Sequence, residues 1–149
     1  MAVMMPNILQ LPVAVLGVLR AGMTLVNVNP LYTSKELSHQ LTDSDTKVLI
    51  LLENFAKTYE DIGQDLVDHV VVASMGDMMS PLKGFIVNAV VRHVKKMVPA
   101  YHIKGSVKFK KAMNLFLLKA INVLTISASM MSLYFNIRAV RRGWRKVPC

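Results

Sequence analysis

The sequence predicts an α/β fold, a partial parallel sheet with flanking helices, on three observations. Short apolar runs rich in β-branched residues alternate with segments of helical period. One run, Lys47-Val48-Leu49-Ile50-Leu51-Leu52, is nearly continuous in hydrophobicity, as a strand covered on both faces must be. Strand and helix patterns take turns along the chain, the order that builds parallel strands through right-handed crossovers.

In order, residues 2–5 read as a buried strand and Pro6-Asn7 as a turn. Residues 8–21 read as a helix closed by Gly22, which accepts the left-handed conformation of a helix cap. Residues 24–28 form the next strand, stopped by Asn29-Pro30. Thr33-Ser34-Lys35-Glu36 is a capping box, in which the two side chains satisfy free amides at a helix start. That helix runs to about Ser44, with Leu37 and Leu41 four apart on one face. Residues 47–52 are the third strand, 55–67 a helix and 69–73 the fourth strand. A last helix over 82–98 carries Arg92, Lys95 and Lys96 beside Val90, Val91, Val94 and Met97, and its basic side is expected to face solvent.

Composition narrows the class. The chain has 149 residues, 53% of them hydrophobic, so it is at most one modest domain and has too much to bury for intrinsic disorder. A single cysteine, Cys149, excludes an internal disulfide and a thiolate metal cage. The net charge of +9 on its face points to nucleic acid or an anionic membrane. Its location changes that reading. Residues 1–114 hold twelve bases and nine acids, an ordinary balance, whereas residues 115–149 hold six bases and no acid. No nucleic-acid partner is therefore expected.

Two stretches lack charge, residues 1–19 and 120–137. The first is broken by Pro6, Asn7, Gln10 and Pro12 and reads as part of an α/β core. The second, followed by Arg138, Arg141, Arg142, Arg145 and Lys146, has the look of a membrane anchor with a positive flank.

Motifs for chemistry are sparse. Neither glycine-rich phosphate loop is present in this frame. His39, His69, His93 and His102 lack metal-ligand spacing, and Asp43 and Asp45 fit a turn at a helix end. Cys149 has no base near it in sequence. Spacing alone assigns no catalytic, cofactor-binding or metal residue.

A resemblance adds what spacing does not. Val3-Met4-Met5-Pro6-Asn7, Gly17-Val18-Leu19-Arg20-Ala21-Gly22, and above all Val26-Asn27-Val28-Asn29-Pro30-Leu31-Tyr32-Thr33 carry it. Glu36-Leu37, His39-Gln40-Leu41, Asn54-Phe55-Ala56, Met75-Gly76-Asp77, Val98-Pro99-Ala100-Tyr101-His102 and Phe109 continue it. In this order and spacing, residues 2 to about 114 resemble the bacterial long-chain acyl-CoA synthetases, fatty-acid CoA ligases of the adenylate-forming superfamily. Asn27, Asn29, Pro30, Leu31 and Tyr32 match a family signature that is not catalytic.

The resemblance implies a two-step ligase. ATP and a fatty acid give an acyl adenylate and pyrophosphate with Mg²⁺, and coenzyme A then displaces AMP to form the thioester. The family's phosphate loop, adenine motif, Mg²⁺-binding glutamate and catalytic lysine all fall outside the match. The expectation is thus a fragment of the large N-terminal, AMP-binding domain over residues 1–114, inactive alone and binding no cofactor by itself. Its partners by family are fatty acid, ATP and coenzyme A.

Residues 115–149 are expected to be an apolar then basic tail read out of frame. The family's next landmark resembles L-Q-Y-T-G-G-T-T-G-x-A-K-G-A-M. Permitted codons for residues 135–149, preceded by the last base of a TAC codon for Tyr134, regroup to spell L-Q-Y-T-G-G-T-T-G-M-A-K-G-A-M. A single frameshift between about Asn114 and Met130 accounts for this. Bulky Arg138, Val140, Arg141, Arg142 and Trp144 do not reproduce a loop whose glycines and threonines hold phosphate. The alternative is a small membrane-associated or anion-binding protein using that apolar and basic segment. The expected location is the cytoplasm, with peripheral contact to the inner membrane as its outer limit.

Overall fold

The computed structural model describes residues 1–114, and Met1–Ala112 form one compact unit. The apolar stretch 120–137, the basic segment after it, Cys149 and the out-of-frame reading all lie outside the described residues.

The element order is β1 (Ala2–Met4), α1 (Gln10–Arg20), β2 (Val26–Val28), α2 (Ser34–Asp43), β3 (Val48–Leu52), α3 (Ala56–Glu60), β4 (His69–Ala73), α4 (Pro81–Ala89) and β5 (Val107–Lys108). All strand pairs are parallel, in the order β2-β1-β3-β4-β5. The chain steps one way from β1 to β2 and the other way from β2 to β3. Right-handed crossovers therefore put α1 and α2 on opposite faces.

Strand alternation sorts the core. Ala2, Met4, Leu49, Leu51, Val70 and Val72 form one cluster with Leu37 and Leu41 of α2 and Ala56 and Tyr59 of α3. Val3, Ile50, Leu52 and Ala73 are buried with the other parity, and α1 buries Gln10, Ala14 and Val18 along one stripe.

Local signals fix the helix ends. At the end of α1, Gly22 has φ 69, and amides of Met23 and Gly22 donate to the carbonyls of Val18 (3.2 Å) and Leu19 (3.0 Å). This is the paired C-terminal capping arrangement that glycine permits. Asp45, with φ 44, does the same for α2, so the turn expected at Asp43 and Asp45 is a left-handed cap. Thr33 and Glu36 form the expected capping box: Thr33 N donates to Glu36 Oε2 at 2.8 Å, and Glu36 N donates to Thr33 Oγ1 at 3.4 Å.

Three expectations change. The helix predicted over 55–67 is only α3, preceded by a 3-10 turn over Glu53–Phe55. Gly63, at φ 91, turns the chain out of the helix, and Val67 reaches the core from the loop. The helix predicted over 82–98 is α4 followed by a π-turn over Val90–Val94, and Lys96 at φ 48 ends it. Its basic side is not wholly solvated, because Arg92 turns inward. The fifth strand, β5, is two residues long, too short to show alternation in sequence.

Candidate functional site

The strand order reverses direction at β1 and β3, and ligands of open α/β sheets bind at the carboxyl edge of such a switch point. Three residues meet there: Gln10 at the start of α1, Glu53 directly after β3 and Ser74 directly after β4. Glu53 and Gln10 are almost fully buried.

The Glu53 carboxylate is held from two sides. Ser74 Oγ donates to Glu53 Oε2 at 3.1 Å, and Arg92 donates to the same oxygen through Nε at 3.2 Å and through Nη2. The Glu53 partnership raises the Arg92 pKa above its ordinary value. Burial pushes the Tyr101 phenol up, and the Glu53 charge adds to that while Arg92 opposes it. Gln10 Nε2 donates to the carbonyls of Ser74 (2.9 Å) and Met75 (3.0 Å), tying α1 to the end of β4. Two acceptors, Gln10 Oε1 and Glu53 Oε1, are buried with no partner. A cleft of about 480 Å³ opens beside Gln10, between the β1–α1 connection and Met75 and Met79.

The loop after β4 is fixed by its backbone. Ser74 N donates to Asp77 Oδ2 at 2.7 Å, and Gly76 N donates to Asn88 Oδ1 of α4 at 2.8 Å. A Cβ on Gly84 would lie 2.5 Å from Gly76 O, so both positions require glycine for α4 to sit where it does.

The signature residues cluster at the carboxyl end of β2. Asn29 Oδ1 accepts from Leu31 N at 3.0 Å, and Tyr32 N donates to Asn29 O at 3.1 Å, a turn that Pro30 completes. Tyr32 packs on the core, Leu31 is exposed, and Asn27 O accepts from Gln40 Nε2 at 3.3 Å. This turn delivers Thr33 to its cap on α2. It is separate in sequence and hydrogen bonding from the Gln10, Glu53 and Ser74 group.

His39, His69, His93 and His102 are exposed. Among the described residues no three His, Cys, Asp or Glu side chains gather as they would for a metal ion. The free acceptors of Gln10 and Glu53 suit a hydrogen-bond donor and oppose a phosphate, so these residues do not fit the phosphates of ATP. Sequence reasoning missed Glu53, Gln10 and Ser74. The signal was a single carboxylate placed directly after the most apolar strand.

The fold is an open parallel α/β sheet whose buried Gln10, Glu53 and Ser74 group lies at its carboxyl edge, and comparison with known proteins makes the assignment specific. Residues 1–103 match the family model described as AMP-binding enzyme, and the chain belongs to that family. It is 49% identical over 114 residues to a long-chain-fatty-acid–CoA ligase of Escherichia coli O6:H1, which covers 76% of this chain and 20% of that protein. The ligase of the same description from Salmonella typhimurium is 50% identical over 113 residues, 75% of this chain and 20% of the relative. That of Haemophilus influenzae is 46% identical over 115 residues, 76% and 20% respectively. The chain thus spans about a fifth of the length of these curated relatives. No solved structure matches it.

Proposed function

We propose that this chain is a piece of a long-chain fatty-acid CoA ligase and supplies part of the sheet of its AMP-binding domain. In the whole protein that domain serves the joining of a fatty acid to AMP from ATP, with Mg²⁺, and then to coenzyme A. The observation that carries the reading is identity of about half over 114 residues to ligases of that description. The parallel sheet and its capped helices support it.

The chain alone is read as inactive and cytoplasmic, with peripheral contact to the inner membrane as the outer limit of its location. Purified chain incubated with a long-chain fatty acid, ATP, Mg²⁺ and coenzyme A is expected to form no acyl-CoA. Turnover above a denatured control would overturn the inactive reading.

Residues 115–149 are read as out of frame. The codon agreement over residues 135–149 supports this, as does a likeness that covers 114 of the 149 residues. Sequencing the encoding DNA is expected to find a frame that spells T-G-G-T-T-G, and no such frame would refute the idea.

A further inference from the structure

The chain after α4 departs from what its own residues favour. Residues 85–98 hold no glycine or proline, and Lys95-Lys96-Met97 are good helix formers. The local pattern therefore runs a helix to Val98, the residue before Pro99. The chain instead widens into the π-turn over Val90–Val94, where Lys95 N donates to Val90 O at 2.8 Å and Met97 N to Val91 O at 3.0 Å. Lys96 takes φ 48, a left-handed conformation that glycine enters readily and lysine does not. A π-turn and a strained residue side by side require a cause outside the segment.

That cause lies at the end of β3. Glu53 and Asn54 follow the strand directly and reach the helix end at two points. Glu53 Oε2 accepts from Arg92 Nε at 3.2 Å and from Arg92 Nη2, in the middle of the π-turn. Asn54 Nδ2 donates to Met97 O at 3.1 Å, just past the left-handed residue. The Asn54 amide has only this orientation, because a carbonyl accepts and never donates. Ser74 Oγ braces Glu53 at 3.1 Å and lies 3.3 Å from Arg92 Nη2. The two points bracket the strained turn, one before Lys96 and one after it. Every contact is made within residues 53–97, and none depends on which surfaces are exposed.

We propose that Glu53 and Asn54 form a two-point clasp that selects between two backbone states of residues 90–98. With the clasp closed, the segment holds the π-turn and a left-handed Lys96. With it open, α4 continues as a regular helix toward Val98, and Lys95 joins the stripe of Gly84, Asn88 and Val91 at helical spacing. The proposal concerns the backbone alone, so it stands or falls apart from the ligase reading.

The test is backbone NMR of the isotope-labelled full chain. In the parent, the Lys96 Cα shift and amide–Hα coupling are expected to report a left-handed residue. In Glu53→Gln with Asn54→Ala, Lys96 should take helical values, and contacts of a regular helix should appear between His93 and Met97. Asn54→Ala alone should raise the helical population about fivefold, the worth of one hydrogen bond. It leaves the Glu53–Arg92 pair intact and carries the reading should the double variant fail to fold. Lys96→Gly added to the opened chain should return the turn to its left-handed state, since glycine enters it without the clasp.

Two outcomes would overturn the proposal. Lys96 stays left-handed in the opened chain, so that the neighbouring residues set the helix end by themselves. Residues 90–98 lose the turn without gaining helical contacts, so that the clasp holds one state and selects against no other.

Discussion

Helices α2 and α4 flank the same sheet and are built in opposite ways. α2 turns Leu37 and Leu41 inward and keeps Lys35, His39, Thr42 and Asp43 outside, and a capping box starts it. α4 begins at Pro81 with no side-chain cap and presents large apolar residues outward. The first helix is finished by the residues around it. The second is held by a backbone contact and an ion pair, and its outer apolar residues are exposed in this stretch of chain, which spans about a fifth of its relatives. Stability and surface chemistry therefore reside in different residues of the two helices, and substitution separates them.

The largest effect belongs on the finished side. Leu37→Ala removes a side chain that is 0% exposed and should cost about 2–5 kcal/mol, enough to abolish cooperative urea unfolding in a marginal chain. Phe85→Ser, on the outer face of α4, should leave the unfolding midpoint within about 0.5 kcal/mol of the parent. Equal losses at the two positions would erase the contrast.

Next comes the ion pair. Arg92→Ala strands the buried Glu53 carboxylate and should cost about 3 kcal/mol, the low end for a broken buried pair because Arg92 is half exposed. Gln at position 53 in the same background should recover most of it, which a double-mutant cycle measures. Gly84→Ala should cost about 1–3 kcal/mol by forcing α4 off Gly76, read as a lower thermal midpoint.

The smallest effects lie at the cap of α2. Thr33→Ala should cost about 1 kcal/mol. Thr33 holds the Glu36 pKa below its ordinary value, first through its backbone amide and then through its hydroxyl. A depressed carboxylate adds stability above its unfolded pKa and loses it as pH falls through the folded one. The gap between parent and Thr33→Ala should thus be full at neutral pH and shrink in acid, followed by helical circular dichroism across a pH series.

Much of α2 and the inner sheet was legible because the information is local. Thr33 and Glu36 sit three apart, Leu37 and Leu41 four apart, and the run ending at Leu52 announces its own burial. Residues 69–73 are the fourth strand in both readings. The site was not legible, because Glu53 and Arg92 lie 39 residues apart and meet only through a π-turn. The meeting of Gly76 and Gly84 is likewise a fact of packing, invisible in two isolated glycines. Arg92 reads as one more base beside Lys95 and Lys96 until the fold shows its partner. The signature turn at Asn29, Pro30 and Tyr32 was legible as a pattern, and the structure gives it a local task, delivering Thr33 to its cap.

The backbone contact between Gly76 and Gly84 has one more consequence. Because it involves no side chain, and because Asn88 anchors the same loop from the inner side, the placement of α4 is insulated from whatever its outer residues become. Substitution at Leu82, Phe85, Ile86 or Val94 leaves that contact intact. The two glycines cannot drift independently, since a methyl group on either collides with the main chain of the other. The helix is in this sense plugged in by its backbone: a fixed socket on one side, and on the other a face whose side chains take no part in seating it.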